Sequence, residues 1–280
     1  MTEPVKKVKF LTNKDLLEEI HKSKTSYCEF VDKKYSKYDF IVNDLNKATI
    51  ERIEQARQKK VTDTISQIRK EHSARGIKNF KPEVSIDEFP VDTIVIRLMT
   101  FDHIPINEEK VHKAKTEGER HIRCNFPPFQ HFIFKDGEFV LVGQSHYKAG
   151  EFSLTHGKMT NKLALMFMMM VERYGHRGNW RGYSYLDEMK CQALLQLSQV
   201  GLQFDESRSD IPNPFAYLTQ VTKASFIRAL NLEKRNQDIR DDLLIMAGAM
   251  PSYTKQTEHE IEQQKINAEI SAAKKDAASE

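Results

Sequence analysis

Three consecutive helical patterns between residues 158 and 240 constrain the fold of this chain more than any other feature of its sequence. The first runs from about Thr160 to Tyr174, and its apolar residues recur at the spacing of one helical face. They are Leu163, Met166, Phe167, Met170, Val171 and Tyr174. Methionine often fills irregular cores, so we expect this stripe to be core rather than a ligand or partner surface. Gly175 is then suited to a left-handed cap.

The second pattern follows the connector HRGNWRGYSY, which contains Trp180, the only tryptophan. Ser184 and Asp187 have capping-box spacing, which predicts a helix that continues to about Val200 and ends at Gly201. Its inward residues are Leu186, Met189, Ala193, Leu197 and Val200, and its polar outer residues are Glu188, Gln192, Gln196 and Gln199.

The third pattern begins where Asn213 is a suitable N-cap and Pro214 a suitable first residue. Phe215 and Tyr217 lie in its early turns. Its later turns are basic, with Lys223, Arg228, Lys234, Arg235 and Arg240 opposed by Glu233 and Asp238. Aromatic residues beside a basic helix can stack unpaired bases and hold phosphates. A basic helix is more often a solvated surface, so both interpretations stay open on pattern alone.

Two segments precede these helices. Residues 1–83 are predicted to be helical, with NKDLLEEIHK capped by Asn13 and a second helix over about 43–75 that Gly76 ends. The second helix has a thin apolar stripe, which suits a solvated helix with one packed face better than a coiled coil. Residues 84–157 are predicted to form a small α+β insertion.

Within the insertion, DTIVIRLMTF at 92–101 indicates a strand, and Asp136-Gly137 between two apolar runs indicates a β-hairpin. INEEKVHKAKTEGERH at 106–121 indicates a charged helix. Residues 246–280 are predicted to be a polar tail, partly helical or flexible.

Composition limits the class of protein. The 43 basic and 40 acidic residues give a net charge of only +3, so a nucleic-acid surface requires local clustering of charge. Three widely spaced cysteines do not indicate a disulfide framework and favour a reducing cytoplasm. The N-terminus has no apolar stretch suited to a signal peptide, and the apolar run at 163–171 is too short for a bilayer span.

Other chemistry has weaker support. Asp205, Glu206 and Asp210 share one loop, where acidic residues are usually solvated, and they predict no nuclease centre. His121 and Cys124 have short spacing, but no second matching pair follows, so zinc is not expected. We therefore expect no catalytic residue, metal or cofactor.

The stretches NKLALMFMMMVERYG, GYSYLDEMKCQALLQLSQVGLQFDE and NPFAYLTQVTKASFIRALNLEKRNQ together resemble region two of bacterial sigma factors. The resemblance is strongest to the late-transcription sigma factors of T-even-like bacteriophages and covers roughly residues 160–245. NKDLLEEI resembles the start of those proteins. The order and spacing of three helices carry the resemblance, which implies a mainly α fold: a sigma region-two-like three-helix bundle at 158–245 with long N-terminal helices and the α+β insertion.

The resemblance implies two partners. In the family, the second helix docks on a coiled coil in the largest subunit of bacterial core RNA polymerase. The corresponding residues here are Asp187, Glu188, Cys191, Gln192 and Ser198. The family typically has an acidic residue followed by glycine where this chain has Gln192 and Ala193.

The second implied partner is promoter DNA, because the third helix of the family reads the minus-ten element and captures flipped bases. Tyr217 is at the position of a base-capturing tyrosine. The other implied DNA-binding residues are Trp180, Phe215, Gln220, Lys223, Arg228, Lys234 and Arg235. The tryptophan pair of the primary bacterial factors is replaced by Gln220 and Val221.

These features predict a sigma factor for late phage promoters that acts in the cytoplasm of an infected host cell, with no membrane partner. No helix-turn-helix follows residue 245, and the ending AAKKDAASE lacks the apolar-acidic peptide with which the phage factors bind a sliding clamp, so a clamp or coactivator has no support. The alternative is a nucleic-acid-binding or scaffold protein that does not bind polymerase.

Overall fold

The computed structural model describes residues 11–75, 82–209 and 211–277. These residues are mainly helical, with a small mixed sheet, as the sequence predicts. The helices are α1 (Asn13–Thr25), α2 (Ile50–Ala74), the short α3 (Glu117–Arg120), α4 (Asn161–Gly175), α5 (Leu186–Val200), α6 (Pro214–Met246) and α7 (Tyr253–Ala277).

Helix α4 confirms the predicted apolar stripe, since all six of its residues are buried. Thr160 caps the helix by accepting a hydrogen bond from the backbone N–H of Leu163. The predicted left-handed cap at Gly175 is wrong: Gly175 is the last helical residue, and His176 follows it in right-handed geometry. A Cβ at Gly175 would lie 2.9 Å from the Lys190 side chain, so this glycine permits close packing of α5.

Helix α5 buries Met189, Ala193 and Leu197 as predicted. The predicted capping box at Ser184 is absent, because the residue before the helix is Tyr185 and no side chain caps it.

Helix α6 starts as predicted, with Pro214 first and Asn213 accepting a hydrogen bond from the Ala216 N–H. A second cap comes from α1: Asn13 Oδ1 accepts from the Phe215 N–H at 3.1 Å. The predicted N-cap of α1 was Asn13, but Thr12 has that role, which leaves the Asn13 side chain to α6.

Five strands form the main sheet: β1 (Cys28–Phe30), β2 (Phe40–Val42), β3 (Val95–Met99), β4 (Phe129–Lys135) and β5 (Glu138–Ser145). Their order is β1-β5-β4-β3-β2, and β2 and β3 are parallel whereas the other pairs are antiparallel. The predicted strand at 92–101 and the predicted hairpin are confirmed. Asp136 and Gly137 have φ of 53° and 90°, as a two-residue hairpin turn requires. A small hairpin of β6 (Tyr147–Lys148) and β7 (Glu151–Phe152) follows.

Two expectations for the first 160 residues are wrong. The charged stretch at 106–121 forms turns and only the four-residue α3 rather than a helix along its length. The segment 1–83 is not wholly helical, because β1 and β2 leave it to join the sheet. Gly76, the predicted stop of α2, lies outside the described residues. Residues 253–277 of the tail are helical.

One hydrophobic core joins the insertion to the helices. Leu16 and Ile20 of α1, Phe126 and Phe129 of the insertion, and the buried faces of α4, α5 and α6 belong to the same cluster. The stretch 27–157, which contains β1, β2 and the insertion, starts and ends at one point of the helical bundle. The Lys158 N–H donates to Ser26 Oγ at 2.9 Å, and the Thr160 N–H donates to Ser23 Oγ at 3.1 Å.

Candidate functional site

The outer face of α5 contains all five residues implied in polymerase binding. Asp187, Glu188, Cys191, Gln192 and Ser198 are exposed, and the exposed Leu195 lies among them. At about 100° per residue, the six side chains occupy an arc of roughly 140°. Beside this arc, Lys190 pairs with Glu172 of α4 at 3.0 Å, which fixes α5 against α4. The structure therefore presents these residues on one accessible, mixed acidic and polar surface.

A second surface lies on α6. Gln220, Lys223, Arg228, Lys234 and Arg235 are all exposed. They also occupy an arc of roughly 140° at about 100° per residue. We call this set of five residues the basic face of α6. Within the described residues none of its four cations forms an ion pair, and the exposed Asp238 is the acidic residue on the same side of the helix. The face therefore keeps a net positive charge, which suits an anionic polymer.

Tyr217 and Phe215 differ from this basic face. Tyr217 is half-buried, its ring packs on Phe204 at 5.5 Å, and its hydroxyl donates to the Val200 carbonyl at 2.9 Å. Phe215 is 43% exposed but lies beside Arg173 and Arg177 of the α4 end. By helical geometry it is roughly 140° around α6 from Gln220 and roughly 80° from Lys223, the nearest member of the basic face. Phe215 therefore lies outside the arc of the basic face.

Trp180 is part of the core rather than a surface residue. It is 5% exposed and its ring packs against Phe226 and Tyr174, with centroid separations of 5.3 and 6.0 Å. The role implied for Trp180 in DNA binding requires an accessible ring, and this placement contradicts that expectation. Its ring fills the core where α4, α6 and the connector meet.

For Glu206 the solvent exposure expected from the sequence is wrong. It was expected to be a solvated loop residue, but it is buried at the junction of α1, β3 and the α5–α6 loop. Its carboxylate accepts from Lys24 Nζ at 3.0 Å, Arg97 Nη1 at 3.1 Å and the Tyr38 hydroxyl at 2.5 Å. Burial alone would raise the pKa of Glu206, but the charges of Lys24 and Arg97 outweigh it and lower the pKa to about 2.

Two neutral histidines complete this buried cluster around Arg97. His131 Nδ1 donates to the Tyr35 carbonyl at 2.7 Å, which leaves Nε2 to accept from Arg97 Nε at 3.0 Å. His21 Nε2 donates to the Ser36 carbonyl, and its Nδ1 faces Arg97 Nη2 at 3.2 Å. Burial, followed by the charge of Arg97, lowers the pKa of His21 to about 4 and that of His131 well below its usual value.

A cleft of about 650 Å³ opens between the insertion and the α5–α6 loop. Basic side chains at its margin are Lys110, Lys113, Arg123 and Arg208, and Glu119 is its acidic residue. The wall contains Phe101 and His121, whose rings stack at 5.4 Å, and the buried Phe126. No motif in the sequence marks this cleft, because its walls come from segments about 80 residues apart.

Within the described residues, no three His, Cys, Asp or Glu side chains are grouped to hold a metal ion. None of the helices that the structure describes is both long enough and apolar enough to cross a bilayer.

Comparison with known proteins gives no relative: no protein-family model, no curated protein and no solved structure matches this chain.

Proposed function

We propose that this chain is a sigma-type transcription initiation factor, which binds bacterial core RNA polymerase and recognises and melts a minus-ten-type promoter element. Its role is non-catalytic, and its site of action is the cytoplasm of an infected bacterium. The sequence resemblance over residues 160–245 supports the proposal, and the arrangement of the two helices described above adds a physical argument.

The observation that carries the proposal is the pair of unlike surfaces on two packed helices. Helices α5 and α6 pack against each other, yet α5 exposes an acidic and polar face and α6 exposes a basic one. A protein that joins a polymerase subunit to DNA needs two such faces on one rigid unit. A chain that only binds nucleic acid needs the basic face alone.

The basic face of α6 suits the DNA part of the role. Phosphate contacts from Lys223, Arg228, Lys234 and Arg235 would position the helix without reading sequence, and Gln220 is suited to a base edge. Because Tyr217 packs on Phe204 and bonds to Val200, base capture by Tyr217 requires its ring to leave this packing.

The experiment is co-elution of the purified chain with core polymerase from the natural host on gel filtration. We expect a stable complex that the host's own sigma factor displaces. The double variant Asp187→Lys/Glu188→Lys should abolish the complex, whereas Glu260→Lys/Glu262→Lys, two exposed acids on α7, should not.

Helix stability needs its own control in this test. Asp187 and Glu188 lie in the first turn of α5, where acids stabilise a helix by about 0.3–1 kcal/mol each. The neutral pair Asp187→Asn/Glu188→Gln and a thermal unfolding curve separate lost docking from lost folding. No complex between the native chain and the host enzyme at micromolar concentration would reject the proposal and favour a nucleic-acid-binding or scaffold protein.

A further inference from the structure

The cleft between the insertion and the α5–α6 loop has an unusual charge for a chain whose net charge is only +3. Lys110, Lys113, Arg123 and Arg208 are exposed at its margin. The lining has one acidic side chain, Glu119, and Arg208 pairs with Asp205 outside the lining at 3.1 Å, so the cations remain in excess. The margin therefore favours an anionic ligand.

The interior of the cleft is apolar and aromatic. Phe101 stacks on His121, and Phe126 with Pro127 and Pro128 forms the floor. Gly118 lies against the Phe101 ring, where an added Cβ would be 3.0 Å from Cζ. A planar apolar wall below a rim of cations fits a ligand with an aromatic part and a phosphate. At about 650 Å³ the cleft has room for a nucleotide.

The position of the cleft connects it to α6. Arg208 lies at the margin, on the α5–α6 loop, and Phe204 of the same loop packs on the Tyr217 ring with the ring centroids 5.5 Å apart. Tyr217 is three residues before Gln220, the first residue of the basic face. The loop that borders the cleft therefore packs on the same turn of α6 from which the basic face starts.

We propose that this cleft binds a nucleotide of single-stranded DNA, with the base against the partly exposed Phe101 ring and its phosphates against Lys113, Arg123 and Arg208. The insertion would then extend the DNA interface beyond α6. That the strand is promoter DNA rests on the proposed function, whereas the ability of the cleft to bind a nucleotide does not. A free nucleotide has the same chemistry, and the experiment distinguishes the two sources.

The experiment measures fluorescence anisotropy of a labelled 12-nucleotide single strand with the full chain, across a range of salt. Lys113→Ala/Arg123→Ala should weaken binding by about tenfold and reduce the slope of log affinity against log salt by about 1.4. Phe101→Leu keeps an apolar side chain but removes the ring, and should weaken binding by about tenfold with an unchanged salt slope. Lys148→Ala/Lys158→Ala removes two exposed cations outside the cleft and is the matched control.

Two further measurements decide the outcome: competition by deoxythymidine monophosphate and binding of the duplex. Deoxythymidine monophosphate that displaces the oligonucleotide at equal nucleotide concentration would support the cleft chemistry and assign the site to free nucleotides. Displacement only at far higher concentration would support a site for a strand. Equal binding of the duplex, with the same loss in Lys113→Ala/Arg123→Ala, would overturn the proposal, because a duplex offers backbone phosphate without an unpaired base.

The proposal is also overturned if the cleft variants bind the single strand as the native chain does. Polymerase co-elution is measured on the same variants. If the cleft variants bind the single strand normally and the native chain still co-elutes with polymerase, this inference alone is rejected. If the native chain does not co-elute with polymerase, the proposed function alone is rejected.

Discussion

Arg97 of β3 and Glu206 of the α5–α6 loop form a buried ion pair, with 3.1 Å between Nη1 and Oε2 and each side chain 2% exposed. The two residues are 109 positions apart. Lys24 of α1 shares the same carboxylate, so three segments of the chain depend on one anion. This cluster fixes the insertion, and with it the cleft, relative to α6.

Removal of the anion should be strongly destabilising. Glu206→Gln leaves Arg97 and Lys24 buried without their counter-charge, and we expect the free energy of unfolding to fall by about 3–5 kcal/mol. Urea unfolding followed by circular dichroism measures this change. The control is Asp205→Asn, the same acid-to-amide change one residue away. It removes the ion pair with Arg208 but keeps an amide oxygen that can accept from the Ser207 N–H, and should cost less than about 1 kcal/mol. Equal losses in the two variants would refute a structural role for the cluster.

Mild acid should destabilise the chain through the histidines that face Arg97. The pKa of His21 is lowered to about 4, so between pH 6.5 and 4 the unfolded chain binds a proton that the folded chain does not. Stability therefore falls as pH falls through this window, by up to about 1.4 kcal/mol per pH unit for each such histidine. The contribution of Glu206, whose pKa is lowered to about 2, is lost only at lower pH, between about 4.5 and 2.

The variant that tests this is His21→Asn, whose amide oxygen takes the place of Nδ1 as an acceptor for Arg97. We expect its slope of unfolding free energy against pH to be smaller than that of the native chain by about 1.4 kcal/mol per pH unit in the middle of the window. His112→Asn, at an exposed position, is the control. An unaltered slope in His21→Asn would show that His21 is protonated at its ordinary pH in the folded chain.

Trp180 should contribute to the stability of the fold and not to DNA binding. Its indole Nε1 is buried and has no hydrogen-bond partner among the described residues, so Trp180→Phe removes packing without breaking a hydrogen bond seen in the structure. We expect a loss of about 1–2 kcal/mol in unfolding free energy, measured by circular dichroism because the variant has no tryptophan. Affinity for the labelled single strand should stay within about twofold, since the ring is not at a surface. A large loss of affinity with unchanged stability would return Trp180 to the DNA interface.

The start of α6 depends on two asparagines from distant parts of the chain. Asn213 accepts from the Ala216 N–H and Asn13 accepts from the Phe215 N–H, so each satisfies a different free donor of the first turn. Asn13→Ala and Asn213→Ala should each cost about 1 kcal/mol in urea unfolding. Asn161→Ala, at an exposed first position of α4, should change stability by less than about 0.5 kcal/mol. If Asn13→Ala behaves like that control, α1 does not cap α6 in solution.

The parts of the fold that follow local rules were predictable. The face of α4 follows from periodicity, the start of α6 from Asn213-Pro214, and the hairpin from Asp136-Gly137, because each depends on neighbours within a few residues. Strands β1 and β2 were missed because each has three residues, too short for an alternation pattern, and their pairing partners lie far along the chain.

The site was predictable only where exposure follows from a helical pattern. The outer residues of α5 and the basic face of α6 are accessible as expected. Glu206 was misjudged because a loop acid is usually solvated, and only tertiary structure shows that Arg97 and Lys24 surround it. An arginine within the apolar run DTIVIRLMTF was the available signal, since a charge on a buried strand requires a partner.

The hydrogen bonds between Ser26 and Lys158 also bear on how such a chain evolves. The chain leaves the helical bundle at Ser26 and returns at Lys158, 132 positions later, at a hydrogen bond between these residues. Because this stretch starts and ends at the same point, its length does not change the distance between α1 and α4. Natural variation can therefore lengthen or shorten the loops of the intervening stretch while the two surfaces of α5 and α6 keep their spacing. The condition is that Arg97 still pairs with Glu206 and that Phe126 and Phe129 still pack on the helices.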